Sequence, residues 1–329
     1  MKEILDNWKQ FINEQAKFSP EERLDAVIRY AFGLDAASDD KKWKKIKKIA
    51  SNFNLKKASD SFREKFYYTF DSENGENSFV RMIRQIDNKR LPIDAELRKA
   101  YKPNASDEEI KAQYRKIYLP KIKKIIDKVS IINLASDLAA QLYPSHVEEV
   151  AKSLQKGKMI GGFFAERADG KLGFIGINLY AQMNREGMIN FRELERVVFE
   201  ELAHAVDLSI GMPFSSMLDK QLKGITKAQK DTDIKSKDYY DYLKDPVEIY
   251  AKLKVIKSEL MKIDSVKGGR FFDERGEIRL DQLKDYLEDP KSRQKHRVIR
   301  ILNIQKAEDI GKVLNQIARV DRQKTSQMA

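Results

Sequence analysis

The chain predicts a mainly α fold with a small β-sheet, an α+β architecture. Three observations predict it. Apolar residues recur at three- and four-residue spacing through most of the 329 residues. One stretch, 158–178, instead carries two apolar runs around Asp169-Gly170, a strong hairpin signal. The two longest periodic stretches, 190–210 and 246–263, lie beyond that hairpin and carry helix-start residues of their own.

In chain order, the spacing predicts helices over 2–16, 21–33 and 41–53. Ser19 is a cap for the second, with Pro20 at its first position and Glu21 and Glu22 in its first turn. The segment 71–77 (Asp-Ser-Glu-Asn-Gly-Glu-Asn) reads as a polar loop. Ser106 and Glu109 form a capping-box pair at a further helix start, and Pro92, Pro103 and Pro120 punctuate the region. The hairpin over 158–178 follows. Asn190 caps a helix running to about Ile210, ended by Gly211 and Pro213. Residues 214–240 are polar and read as loop with short helix. Asp245 at N-cap and Pro246 at N1 start a helix running to about Ile263. After Gly268-Gly269 come a short helix near 280–287, a basic stretch from Lys291 to Arg300 and an amphipathic helix near 306–319. The changes of pattern divide the chain into a basic helical N-terminal region (1–155), a central α+β domain (156–265) and a basic helical C-terminal extension (266–329).

Composition narrows the function. Hydrophobic residues make up 41% and charged residues 35%, a charge-rich but foldable mixture. No run of eighteen apolar residues occurs, and the N-terminus has no apolar signal-peptide core, so no membrane span is expected and a cytoplasmic location is. With no cysteine, disulfide frameworks and thiolate zinc sites are excluded. A formal net charge of +12 favours anionic partners. Lys41, Lys42, Lys44, Lys45, Lys47 and Lys48, with Trp43 and Ile46 between them, are candidates for contact with nucleic acid or another anionic surface. The same pattern also reads as a solvated helix face with two buried residues. Arg293 to Arg300 has the same two readings. The Gly-Gly pairs fit no phosphate loop, and no serine elbow or cysteine nucleophile is present.

The stretch richest in chemistry is 197–207, Val-Val-Phe-Glu-Glu-Leu-Ala-His-Ala-Val-Asp. On a helix Glu200 and His204 lie one turn apart on one face. That spacing suits two ligands of one metal ion, with the intervening Glu201 directed at a metal-bound water. A third ligand must come from elsewhere, and Glu248, one turn into the next long helix, is the candidate. Glu248 reads equally as a first-turn acid complementing the helix dipole. A di-iron site would need a second Glu-x-x-His, and neither His146 nor His296 has Glu three residues before it.

The ordered set of the hairpin ending at Asn178, the Glu200-Glu201-Leu-Ala-His204-Ala-Val-Asp207 helix and the Asp245-Pro-Val-Glu248-Ile-Tyr-Ala251 helix resembles a zincin metallopeptidase domain of the gluzincin type. The resemblance covers about a third of the chain. It implies His204 and Glu248 as metal ligands, Glu201 as general base and Asp207 as a group orienting an imidazole. Asp207 reads equally as the partner of a nearby basic residue. Where the family has its first His, this chain has Glu200, so the metal would meet one imidazole and two carboxylates. Such a set suits zinc or a harder divalent cation, or is the remnant of a site that holds none. Peptidase-like domains with an Asp-Pro-x-Glu helix also resemble parts of tailed-bacteriophage virion proteins, which implies host cytoplasm and virion as locations. Two classes of function follow. One is a structural or interaction protein with a degenerate, pseudoenzyme form of the domain, working with protein partners in a large assembly. The other is a metal-dependent peptidase with a Glu/His/Glu site and Glu201 as base.

Overall fold

The computed structural model describes residues 40–85, 105–135, 161–166, 172–184, 186–210, 213–267, 269–274 and 276–317. Helix α1 (Asp40–Asn52) buries Trp43, Ile46 and Ala50 at helical spacing and leaves most of its lysines in water. Helices α2 (Leu55–Tyr68) and α3 (Glu73–Gln85) follow. The expected loop over 71–77 is mostly the first turns of α3. Ser72 Oγ accepts from the Gly75 N–H at 3.0 Å and caps that start. Gly75 is a packing residue there, because a Cβ would stand 2.2 Å from the Phe70 carbonyl oxygen.

The Ser106–Glu109 capping box opens α4 (Asp107–Gln113) as expected. The helix continues through a π turn, Tyr114–Tyr118, into α5 (Leu119–Lys128) without a break at Pro120. Proline can neither donate to the carbonyl four residues back nor pack against it. The widened turn, with the Leu119 N–H on Tyr114 O, absorbs both problems.

Strand β1 (Ser130–Asn133) pairs parallel to β3 (Phe174–Ile177), which pairs antiparallel to β2 (Gly162–Ala165). The β2–β3 pairing is the one the hairpin signal predicts; β1 is an addition to it. Gly162 and Gly176 keep the sheet flat against its neighbours: a Cβ on Gly162 would meet Val197 at 2.7 Å, and one on Gly176 would meet Phe163 at 2.7 Å.

Helix α6 (Phe191–Ser209) starts where the Asn190 side chain accepts from the N–H groups of Arg192 and Glu193. The polar stretch after it is more helical than expected: α7 (Phe214–Met217), α8 (Asp219–Gly224) and α9 (Lys237–Lys244) occupy much of it. Each buries a few apolar residues, among them Phe214, Leu222 and Leu243. Helix α10 (Pro246–Lys267) begins at Asp245, whose carboxylate accepts from the Val247 N–H at 2.8 Å. Helices α11 (Leu280–Glu288), α12 (Pro290–Lys295) and α13 (Ala307–Gln316) complete the described chain. The expected helices at 2–16 and 21–33, the Ser19-Pro20 start, Pro92, Pro103, the Asp169-Gly170 turn, His146, Gly211 and Gly268 lie outside the described residues.

Packing groups the described chain into two compact units that interleave along the sequence. The first holds 40–59, 130–135, 161–165, 174–184 and 186–198: helix α1, the sheet and the start of α6. There Trp43 stacks on Tyr180 at 5.6 Å, and the Asn133 side chain donates to Ala50 O. The second holds 60–85, 105–129, 166, 172–173, 199–210, 213–267, 269–274 and 276–317. Its core runs along α10, where Leu253, Ile256 and Leu260 are fully buried. An aromatic cluster of Phe66, Phe70, Phe199, Phe214 and Tyr250 packs beside that helix.

Candidate metal centre

The second unit carries the chemistry. Helix α6 presents Glu200 and His204 one turn apart, and the first turn of α10 presents Glu248. One ligand atom from each lies within 4.8 Å of the others. His204 Nε2 stands 3.5 Å from Glu248 Oε1. These three residues could hold a metal ion. The sequence brings them together because Asp245 and Pro246 fix the start of α10, and the start sets the depth at which Glu248 enters.

Lys252 completes the cluster, and the sequence reading did not single it out. It lies four residues after Glu248 on α10, hence on the same face. Its Nζ donates to Glu200 Oε1 and stands 3.0 Å from Glu248 Oε2. Its ammonium also sits 5.4 Å from the centre of the Tyr242 ring, within cation–π range. Burial pulls the Lys252 pKa down, but Glu200 and then Glu248 outweigh it and hold the amine well above the ordinary lysine value. The one sequence signal for this residue is the Glu248–Lys252 spacing.

The donors suit a divalent cation in kind: one imidazole nitrogen and carboxylate oxygens. Glu248 Oε2 is buried and meets the Lys252 ammonium at 3.0 Å as an ion pair outside good hydrogen-bond geometry, and the Tyr242 hydroxyl is a further hydrogen-bond partner of Glu248. Tetrahedral ligation at about 2.0–2.3 Å puts donor atoms about 3.3–3.8 Å apart. The His204–Glu248 pair already meets that spacing. The cluster as a whole needs about 1 Å of closure, and Lys252 lies on the two carboxylates that would close.

Glu201 is 6% exposed and is not one of the converging donors, a placement a general base permits. Asp207 departs from the expectation that it orients an imidazole. Its two oxygens accept from the Ser215 N–H at 3.0 Å and from the Ser215 hydroxyl. The reason is local: α6 ends at Ser209 and the chain re-enters helix at Phe214, so the first N–H groups of α7 need an acceptor. Burial raises the Asp207 pKa against those bonds, and the residue acts on His204 only through its field.

The basic stretches are mostly solvated or paired. On α1, Lys41, Lys42, Lys44, Lys45 and Lys48 are exposed and Lys47 is half-buried, with Lys44 paired to Asp40 at 2.7 Å. Trp43 and Ile46 point inward, as the solvated-face reading requires. Near the C-terminus Lys295 and His296 both engage Glu259, at 2.6 and 2.9 Å, and Arg300 faces Asp233 at 3.6 Å. No helix among the described residues is long and apolar enough to cross a membrane.

Comparisons with known proteins find no matching family model, no matching curated protein and no matching solved structure. Functional inference therefore rests on the side chains themselves.

Proposed function

We propose that the protein is a structural or interaction protein whose zincin-like segment is a pseudoenzyme, working with protein partners in a large assembly such as a tailed-phage virion. The observation that carries this reading is Lys252. Its ammonium lies on Glu200 and Glu248, the carboxylates a catalytic cation would need. A buried ion pair of this kind satisfies the charges without a metal and ties α6 to α10. The resemblance to zincins accounts for the arrangement of the helices, and the Glu at position 200 accounts for a site that has turned from ligation to charge pairing.

Convergence of the Glu200, His204 and Glu248 donors favours a second reading, a metal-dependent peptidase. In it those three residues would hold zinc or another divalent cation, which supplies Lewis acidity when bound, and Glu201 would accept a proton. One experiment separates the readings. Elemental analysis of the purified protein is paired with a peptidase assay of wild type against Glu201→Gln. The structural reading expects no stoichiometric metal and no hydrolysis that depends on Glu201. Stoichiometric metal together with hydrolysis abolished by Glu201→Gln would overturn it.

A further inference from the structure

We propose that Lys252 is a tethered counter-ion that competes with a divalent cation for the Glu200–His204–Glu248 donors, so that removing it turns the cluster into a metal site. The inference rests on the reading of these three residues as a ligand set. It says what regulates that set.

Glu200 and Glu248 come from different helices, and both are largely buried, with side chains 15% and 16% exposed. Two carboxylates held together away from water repel each other unless a cation lies between them. Lys252 supplies that cation from within the chain and reaches both. A divalent ion placed there would need the same oxygens. The ammonium and the metal therefore exclude each other by charge and by space.

Geometry adds a second strand. Glu248 and Lys252 share one face of α10. The lysine stem is long and flexible, so its Nζ can leave while the helix stays fixed. What remains is one imidazole and two largely buried carboxylates, with the Tyr242 hydroxyl still beside Glu248. That set suits Zn²⁺ or Mn²⁺ more than a soft ion. The same pairing explains the carboxylate at position 200. An imidazole there would leave Glu248 alone to carry the Lys252 charge, so Glu200 and Lys252 work as a matched pair.

The test uses the full chain with Lys252→Met and with Lys252→Met/Glu248→Gln. Equilibrium dialysis against Zn²⁺ or Mn²⁺ alone gives stoichiometry and affinity, and a thermal melt with and without ion gives a second readout. Lys252→Met is expected to bind one ion per chain at least tenfold more tightly than wild type. Its melting midpoint should rise with added ion, and the double variant should lose both gains. Circular dichroism checks the fold. If Lys252→Met does not fold, Lys252→Gln, which keeps a long stem with a polar end, takes its place. A folded variant that binds no more tightly than wild type would overturn the proposal, as would a wild type that binds as tightly as the variant. Neither outcome depends on hydrolysis, so the assay of Glu201→Gln fails or succeeds separately.

Discussion

Lys252 and Lys254 are two residues apart on α10, about 200° round the helix from each other, and meet opposite surroundings. Lys252 reaches two carboxylates and is held charged. Lys254 is 1% exposed and faces the Phe70 ring at 3.7 Å and the Phe66 ring at 5.0 Å, and its Nζ has no hydrogen-bond partner among the described residues. Burial depresses its pKa to about 7, with only the Asp207 field opposing. The same side chain on one helix is thus a fixed cation on one face and a group that titrates near neutral pH on the other. What decides is the presence of an anion within reach. Aromatic faces attract an ammonium by about 2 kcal/mol when it is desolvated, less than burying the charge costs.

The largest expected loss of stability tests the carboxylate side. Glu200→Ala leaves Lys252 with Glu248 alone and should destabilise the fold by about 3–4 kcal/mol in chemical denaturation. A loss below about 1 kcal/mol would mean the pair contributes as little as a surface pair does.

Lys254→Met tests the aromatic side, and its sign is opposite. The folded-state pKa of Lys254 is depressed from 10.5 to about 7, so the unfolded chain binds the proton more strongly. Wild-type stability should therefore rise with pH between about 7 and 10.5 and fall as pH drops toward 7. Replacing the amine with a thioether of similar length removes that dependence. The variant should gain on the order of 4 kcal/mol at pH 7, with the gain shrinking toward pH 10.5. Denaturation midpoints of both proteins across this range check it, and a constant difference would show that Lys254 does not titrate there.

A third lysine sharpens the contrast. Lys257 is also buried, but it donates to the carbonyls of Leu314, at 2.5 Å, and Ile317 at the end of α13. Lys257→Met should cost about 1–2 kcal/mol, since it strips donors from buried carbonyls. The smallest effect belongs to the exposed Lys44–Asp40 pair on α1, where Lys44→Ala should leave the denaturation midpoint unchanged.

The parts of the fold and site that were readable in the sequence are those set by local chemistry. The caps at Ser106, Asn190 and Asp245 act over two or three residues, and each stands where its side chain predicts. Glu200 and His204 share a face because both lie on one helix. Lys252 was harder to read, because its decisive partner is 52 residues away and only tertiary packing brings Glu200 to it. Strand β1 is only four residues long with two apolar residues, one residue after a helix, where period two and period 3.6 cannot be told apart. Gly75 looked like a loop residue, but the pressure for glycine comes from the Phe70 carbonyl, a contact made by folding.

Lys257 grips main-chain oxygens, and that has a consequence for how the chain tolerates change. Every residue type offers the same carbonyl, so substitutions at Leu314 or Ile317 that preserve packing leave the clasp intact. In a saturation scan, position 257 should be intolerant while the exposed positions of α13, such as Glu308 and Lys312, accept many residues. The end of that helix is anchored by a contact that cannot read its sequence, which leaves its outer surface free to diversify toward whatever it meets.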